Sequence, residues 1–152
     1  MKYLLLFILS TNLAFSEYSI KTIDTVYSFS PGEGQNFGQS SEFYPKNVFG
    51  FPDTNATINI PSANEIQILS LGFGGEITIG IKNTKILNGE GIDFTIFENV
   101  FLNPAINKYF VEPAKVDVSK DGINYFEIPF DSTTLDGCAG TFPTVGKANP
   151  FT

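Results

Sequence analysis

The chain has 152 residues and a formal net charge of −7, from nine Lys and sixteen Asp or Glu, with no Arg, His or Trp. That negative field disfavours nucleic acid and anionic membrane surfaces as partners. The absence of His removes Ser-His-Asp and Cys-His catalysis and makes a zinc site poor. With 42% apolar residues, sixteen Phe and six Tyr, the chain is rich enough for the core of one domain.

At the N-terminus, Lys2 precedes an apolar run from Tyr3 to Leu9 and the small-residue pair Ala14 and Ser16. This is the pattern of a secretory signal peptide cleaved after Ser16. Residues 1–16 are therefore expected to be a leader, and 17–152 a single domain that is secreted, periplasmic or on the cell surface. Every acid lies beyond Ser16 and only Lys2 is lost with the leader, so the mature charge becomes −8. The run at 3–9 is too short to span a bilayer, and no transmembrane segment is expected in the mature chain. The lone Cys138 has no intramolecular disulfide partner. In an exported protein it is expected to be buried or to pair with a cysteine outside this sequence.

Ile20 to Phe29 is rich in β-branched and aromatic residues, and Pro31-Gly32-Glu33-Gly34 ends it; this predicts a first strand followed by a turn. Residues 35–54 form a long loop, expected to be ordered because Phe37, Phe43, Tyr44, Phe49 and Phe51 need somewhere to pack. Such a loop either closes an open end of the core or builds a binding surface. Rings stack on saccharide faces, so Phe43, Tyr44 and Phe49 are candidate glycan-binding residues; closure of the core would use the same rings.

Strand signals then become frequent. Thr57–Ile60, Glu65–Leu71 and Glu76–Ile81 alternate, the last placing Ile77, Ile79 and Ile81 on one face. Leu71-Gly72-Phe73-Gly74-Gly75 resembles a phosphate loop superficially, but it runs into a strand and lacks the Lys-Ser/Thr ending. A tight turn with positive φ is the better reading. Asn88-Gly89-Glu90-Gly91 is a second turn. Asp93–Glu98 is apolar on both faces, as a covered central strand would be. Ala114–Ser119 alternates, and Asp121-Gly122 turns the backbone into Tyr125–Ile128. No ten-residue window holds an apolar stripe at helical spacing. The expected fold is all-β, an antiparallel sandwich of short strands.

Oxygen-bearing side chains cluster at the ends of the Asp93–Glu98 strand. Asn88, Asp93, Glu98 and Asn99 could enclose a hard cation such as calcium, or simply cap local backbone at strand ends. Glu98 is in phase with Phe94 and Ile96 on the core side, where a carboxylate needs a cation or hydrogen-bond donors. Strand alternation sends Asp93 and Glu98 to opposite faces, so they are not a glycosidase pair, and no catalytic residue is assigned. The Asn55-Ala56-Thr57 sequon would accept a glycan in a eukaryotic secretory pathway.

The stretch Leu69–Ile79, followed by Asn88–Asn99 with its Asn-Gly-x-Gly-x-Asp turn and Phe-Glu-Asn end, resembles a family of bacterial cell-surface proteins of largely unknown function. Glu112–Phe126 continues the likeness, and is also similar to the corresponding hairpin of discoidin-like, galactose-binding-like jelly rolls. The resemblance covers about residues 65–145. It implies a jelly-roll-like domain that continues, in the family, through a Gly-Gly-Asp loop into further strands, so the domain is expected to be incomplete at its C-terminus. It also implies a non-catalytic module binding an extracellular glycan or a surface protein, with or without a structural calcium. The alternatives are a purely structural surface or matrix component and, third, a glycan-directed hydrolase.

Overall fold

A computed structural model describes residues 20–143 and 145–147; the expected leader and its cleavage site lie outside them. The described part is all-β. Six strands form three antiparallel ribbons: β1 (Thr25–Ser30) with β2 (Glu76–Gly80), β3 (Phe101–Asn103) with β4 (Lys108–Phe110), and β5 (Asp117–Ser119) with β6 (Tyr125–Glu127). A single 3₁₀ turn, Lys46–Val48, is the one helical element among the described residues. No helix there is long and apolar enough to cross a membrane.

β1 and β2 pair with Val26 opposite Ile79 and Phe29 opposite Ile77; a bulge at Tyr27 interrupts the register. The extra residue throws the Tyr27 ring across Gly80, where a Cβ would lie 2.7 Å from Tyr27 Cε2. A bulge bends the ribbon and increases its twist. The ribbon is extended by the Glu33–Phe73 bridge and by Gly32 N–H donating to Leu71 O at 2.8 Å. Here the two glycine-rich turns cross with their backbones in contact: a Cβ on Gly72 would sit 2.6 Å from Gly32 O. Gly72 and Gly74 have φ of 79° and 71°, so this stretch is the structural turn that its sequence predicts.

The long loop after β1 is ordered by polar staples. The Asn47 side chain is 4% exposed, and its Nδ2 donates to Gly38 O (2.7 Å), Ile68 O (2.9 Å) and Glu65 O (3.1 Å). Ser70 Oγ accepts from Phe37 N–H at 3.1 Å, and Ser70 N–H donates to Phe37 O at 3.1 Å. These bonds supply the partners that buried backbone carbonyls require.

Three expected strands are corrected. Thr57–Ile60 is a closed turn: Thr57 N–H donates to Ile60 O (2.8 Å) and Thr57 Oγ1 accepts from Ile60 N–H (3.1 Å). Residues 65–67 also turn, because Asn64 Oδ1 accepts from Ile66 N–H (3.1 Å) and Asn64 O from Gln67 N–H (2.9 Å). In both cases a short polar group engages local backbone before a ladder forms. The 93–98 segment lies in no ladder. The β3–β4 hairpin is additional to the strands expected from the sequence. Asn103 Oδ1 accepts from Ala105 N–H at 3.0 Å, Asn107 takes φ 48°, and the paired Phe101 and Phe110 rings lie 5.5 Å apart. The β5–β6 hairpin forms where expected, with Asp121 Oδ1 accepting from Ile123 and Asn124 N–H at 2.8 Å each.

Packing between ribbons is sparse. Among the described residues only Ala56 and Val100 are buried apolar side chains, and no large side chain is fully buried. No ribbon has a third strand among those residues, so the two facing sheets expected of a sandwich are not assembled within them.

Asn47→Asp replaces the amide donor with an acceptor facing three carbonyls. It is expected to destabilise the fold by about 3 kcal/mol, at ~1–3 kcal/mol per unpaired buried group. The same change at exposed Asn36 is expected to leave stability unchanged. Urea unfolding of the two variants checks this; equal midpoints would refute the staple.

Candidate functional site

An open hollow of about 3590 Å³ runs through the described residues, bordered by segments from Ile20 to Ala139 that include β2, residues 84–100, β5 and part of β6, with Tyr27 alone from β1. Its lining includes Ile77, Ile81, Leu87, Ile96, Val116 and Phe126. All of β2 borders it, Glu76 and Thr78 as well as Ile77 and Ile79, so both faces of the strand contribute; Ile77 and Ile79 share one face as expected. That face lacks the packing an apolar strand face normally receives. Ile79 is 40% exposed, Leu87 76% and Phe126 65%. At ~30 Å³ of liquid volume per water, the hollow would hold on the order of a hundred waters against apolar walls.

A polar knot ties one wall of the hollow to the loop region. Asn99 closes a two-bond ring with the Ser62 backbone: its Oδ1 accepts from Ser62 N–H at 2.9 Å, and its Nδ2 donates to Ser62 O at 2.8 Å. Ser62 Oγ in turn donates to Asp53 Oδ2 at 2.8 Å. Asp53 also accepts from Asn55 N–H at 2.8 Å and, with the Gln67 amide nitrogen turned toward it, from Gln67 at 3.0 Å. The Asn55 backbone N–H, contributing most, and the Ser62 hydroxyl hold the Asp53 carboxyl below its ordinary pKa. The sequence has no local signal for Asn47 or for this knot, because their partners lie many residues away.

The four candidate cation ligands have different surroundings. Asn88 is exposed. Asp93 Oδ1 accepts from Gly89 N–H at 2.8 Å and so braces the 88–91 turn. Asn99 is committed to Ser62. Glu98 is partly buried and borders the hollow, although residues 93–98 form no strand and Ile96, its expected companion on one face, is 40% exposed. Burial, and after it the negative charge of Glu112, push its carboxyl up to about 7. Gly140 packs between the two glutamates, where a Cβ would lie 2.7 Å from Glu112 O and 3.2 Å from Glu98 Cγ. Among the described residues no three His, Cys, Asp or Glu side chains converge on one point.

Of the candidate sugar-stacking rings, Tyr44 lies tilted on Phe29 at 5.4 Å between centroids, while Phe43 and Phe49 are half-buried. Far more exposed rings lie elsewhere, Phe73 at 89% among them. Cys138 is a half-buried free thiol.

Comparison with protein-family models, with curated proteins and with solved structures finds no match.

The raised Glu98 carboxyl makes a signed prediction. Its folded pKa, about 7, lies above the unfolded value, so the native state binds the extra proton. Its contribution to stability is then fully present below about pH 4.3, the unfolded pKa, and is lost as pH rises through 7. The expected loss is on the order of 3 kcal/mol from the two pKa values. Glu98→Gln is expected to flatten this decline and to be the more stable protein at mildly alkaline pH. Melting curves of both proteins across that range check it, and parallel pH profiles would refute it.

Proposed function

We propose that the protein is an exported, non-catalytic β module of the cell surface whose apolar hollow takes up a polypeptide partner, completing a sandwich of the kind that the motifs resemble. The carrying observation is the hollow itself, bordered by exposed apolar side chains of β2, of residues 84–96 and of β6. The exposed parts of Tyr27, Phe73, Ile86, Leu87, Ile92 and Phe126 alone amount to roughly 600–1000 Å², taking about 150–250 Å² for each large side chain. That is near the ~800 Å² each partner contributes to a standard interface. Strand edges without a third strand favour a polypeptide over a sugar, because an added strand supplies both backbone hydrogen bonds and alternating side chains. Export is supported by the leader pattern, and the lack of His in this sequence argues against Ser-His-Asp and Cys-His catalysis.

A photo-reactive residue placed at Leu87 or Phe126, in the protein displayed on its own cells, is expected to capture one and the same polypeptide. Placed at Ile123, which is 80% exposed but outside the hollow, it is expected to capture none. Equal capture at all three positions, or none at any, would sink the proposal.

A second reading is a structural calcium: burial, and after it the charge of Glu112, raises the Glu98 carboxyl, and a hard cation there would offset both. Calcium is then expected to raise the melting temperature of the wild-type protein and not that of Glu98→Gln. A calcium-insensitive wild type counts against this reading and leaves the first untouched.

A further inference from the structure

The turn at one edge of the hollow holds the only Asn-Gly pair in the sequence, Asn88-Gly89. Both residues are exposed. Asn88 makes no side-chain hydrogen bond among the described residues, so its amide is free to rotate. Gly89 has no side chain to shield its backbone nitrogen, and that nitrogen already points its proton at a carboxylate: Gly89 N–H donates to Asp93 Oδ1 at 2.8 Å. The attacking group, an unhindered electrophilic amide and a proton acceptor thus meet within one turn. We propose that Asn88 is a site of spontaneous deamidation, with Asp93 assisting as proton acceptor.

The chemistry needs water as its only co-reactant. The Gly89 nitrogen gives its proton to Asp93 and bonds to Asn88 Cγ. The bond between Asn88 Cγ and Nδ2 breaks, Nδ2 takes up a proton, and ammonia departs, leaving a five-membered succinimide. Water then adds at either ring carbonyl. Opening at one gives Asp at position 88, and opening at the other gives isoaspartate, with the backbone rerouted through the former side chain. Either product adds a negative charge beside Glu90 and Asp93. The isoaspartyl form also inserts a methylene into the backbone and displaces the Gly89 N–H from Asp93. The rim of the hollow therefore changes irreversibly with the age of the molecule, whatever the hollow binds.

The structure supplies a clean variant. A Cβ on Gly89 would meet only Asp93 Oδ1, at 3.8 Å, and Gly89 is not in the positive-φ region, so Gly89→Ala retains the fold. The purified protein is aged at mildly alkaline pH, native and in denaturant, then digested and mapped by mass spectrometry, with isoaspartyl methyltransferase as a second readout. The expected result is Asp and isoaspartate at 88. Gly89→Ala is expected to slow conversion roughly fivefold (about 1 kcal/mol of barrier, the conformational restriction of Ala relative to Gly). Asp93→Asn is expected to slow it in the native protein but not in denaturant. An unconverted Asn88, or conversion that Gly89→Ala leaves unchanged, overturns the site. A native rate indifferent to Asp93→Asn overturns the assignment of the proton acceptor.

Discussion

The structure depends on where the apolar faces of short antiparallel ribbons are buried. A two-stranded ribbon satisfies half its backbone and covers neither face, and alone it is marginally stable in water. Three such ribbons are present, and exposed apolar side chains, Ile79, Leu87 and Phe126 among them, border an open hollow. Burial of apolar area is the dominant favourable term in folding and in most association. The same open space therefore limits the stability of the isolated protein and provides a driving force for binding.

What organises the molecule in place of a dense core is polar and steric. Asn47 holds Gly38, Glu65 and Ile68 through one amide nitrogen, and Asn99 clamps Ser62 through two bonds. Gly32 and Gly72 let two turns cross in backbone contact. Hydrogen bonds of this kind contribute about 1 kcal/mol each; they specify geometry but replace little of the missing hydrophobic term. Glu98 shows the other side of the balance. Its carboxyl is partly buried near Glu112, an arrangement that favours protonation or a cation over two adjacent negative charges.

The parts of this architecture legible in the sequence are those with local causes. The β2 strand follows from alternation at Ile77, Ile79 and Ile81, the β5–β6 hairpin from Asp121-Gly122, and the glycine turn at 71–75 from residues that tolerate positive φ. The partial burial of Glu98 does not follow from strand phase, because residues 93–98 lie in no ladder and Ile96 is 40% exposed. At Thr57 and Asn64 alternation misleads, because a short polar residue there engages its own backbone more readily than a distant strand. The β3–β4 hairpin has a local signal in Asn103-Pro104, a turn-starting pair. Asn47 and the Asn99–Ser62 clamp have none, since their partners lie nine to thirty-seven residues away. The Asn88, Asp93, Glu98 and Asn99 group reads as one oxygen cluster in sequence; in space Asp93 serves its own turn and Asn99 serves Ser62.

The most direct test of the open hollow is the binding of a hydrophobic fluorescent dye by the purified protein, followed through thermal unfolding together with near-ultraviolet circular dichroism. The account predicts dye bound to a protein with ordered aromatic side chains, and dye released in the same cooperative transition that abolishes that order. A cooperatively folded protein that binds no dye would contradict it, because the apolar walls would then be covered in the isolated molecule.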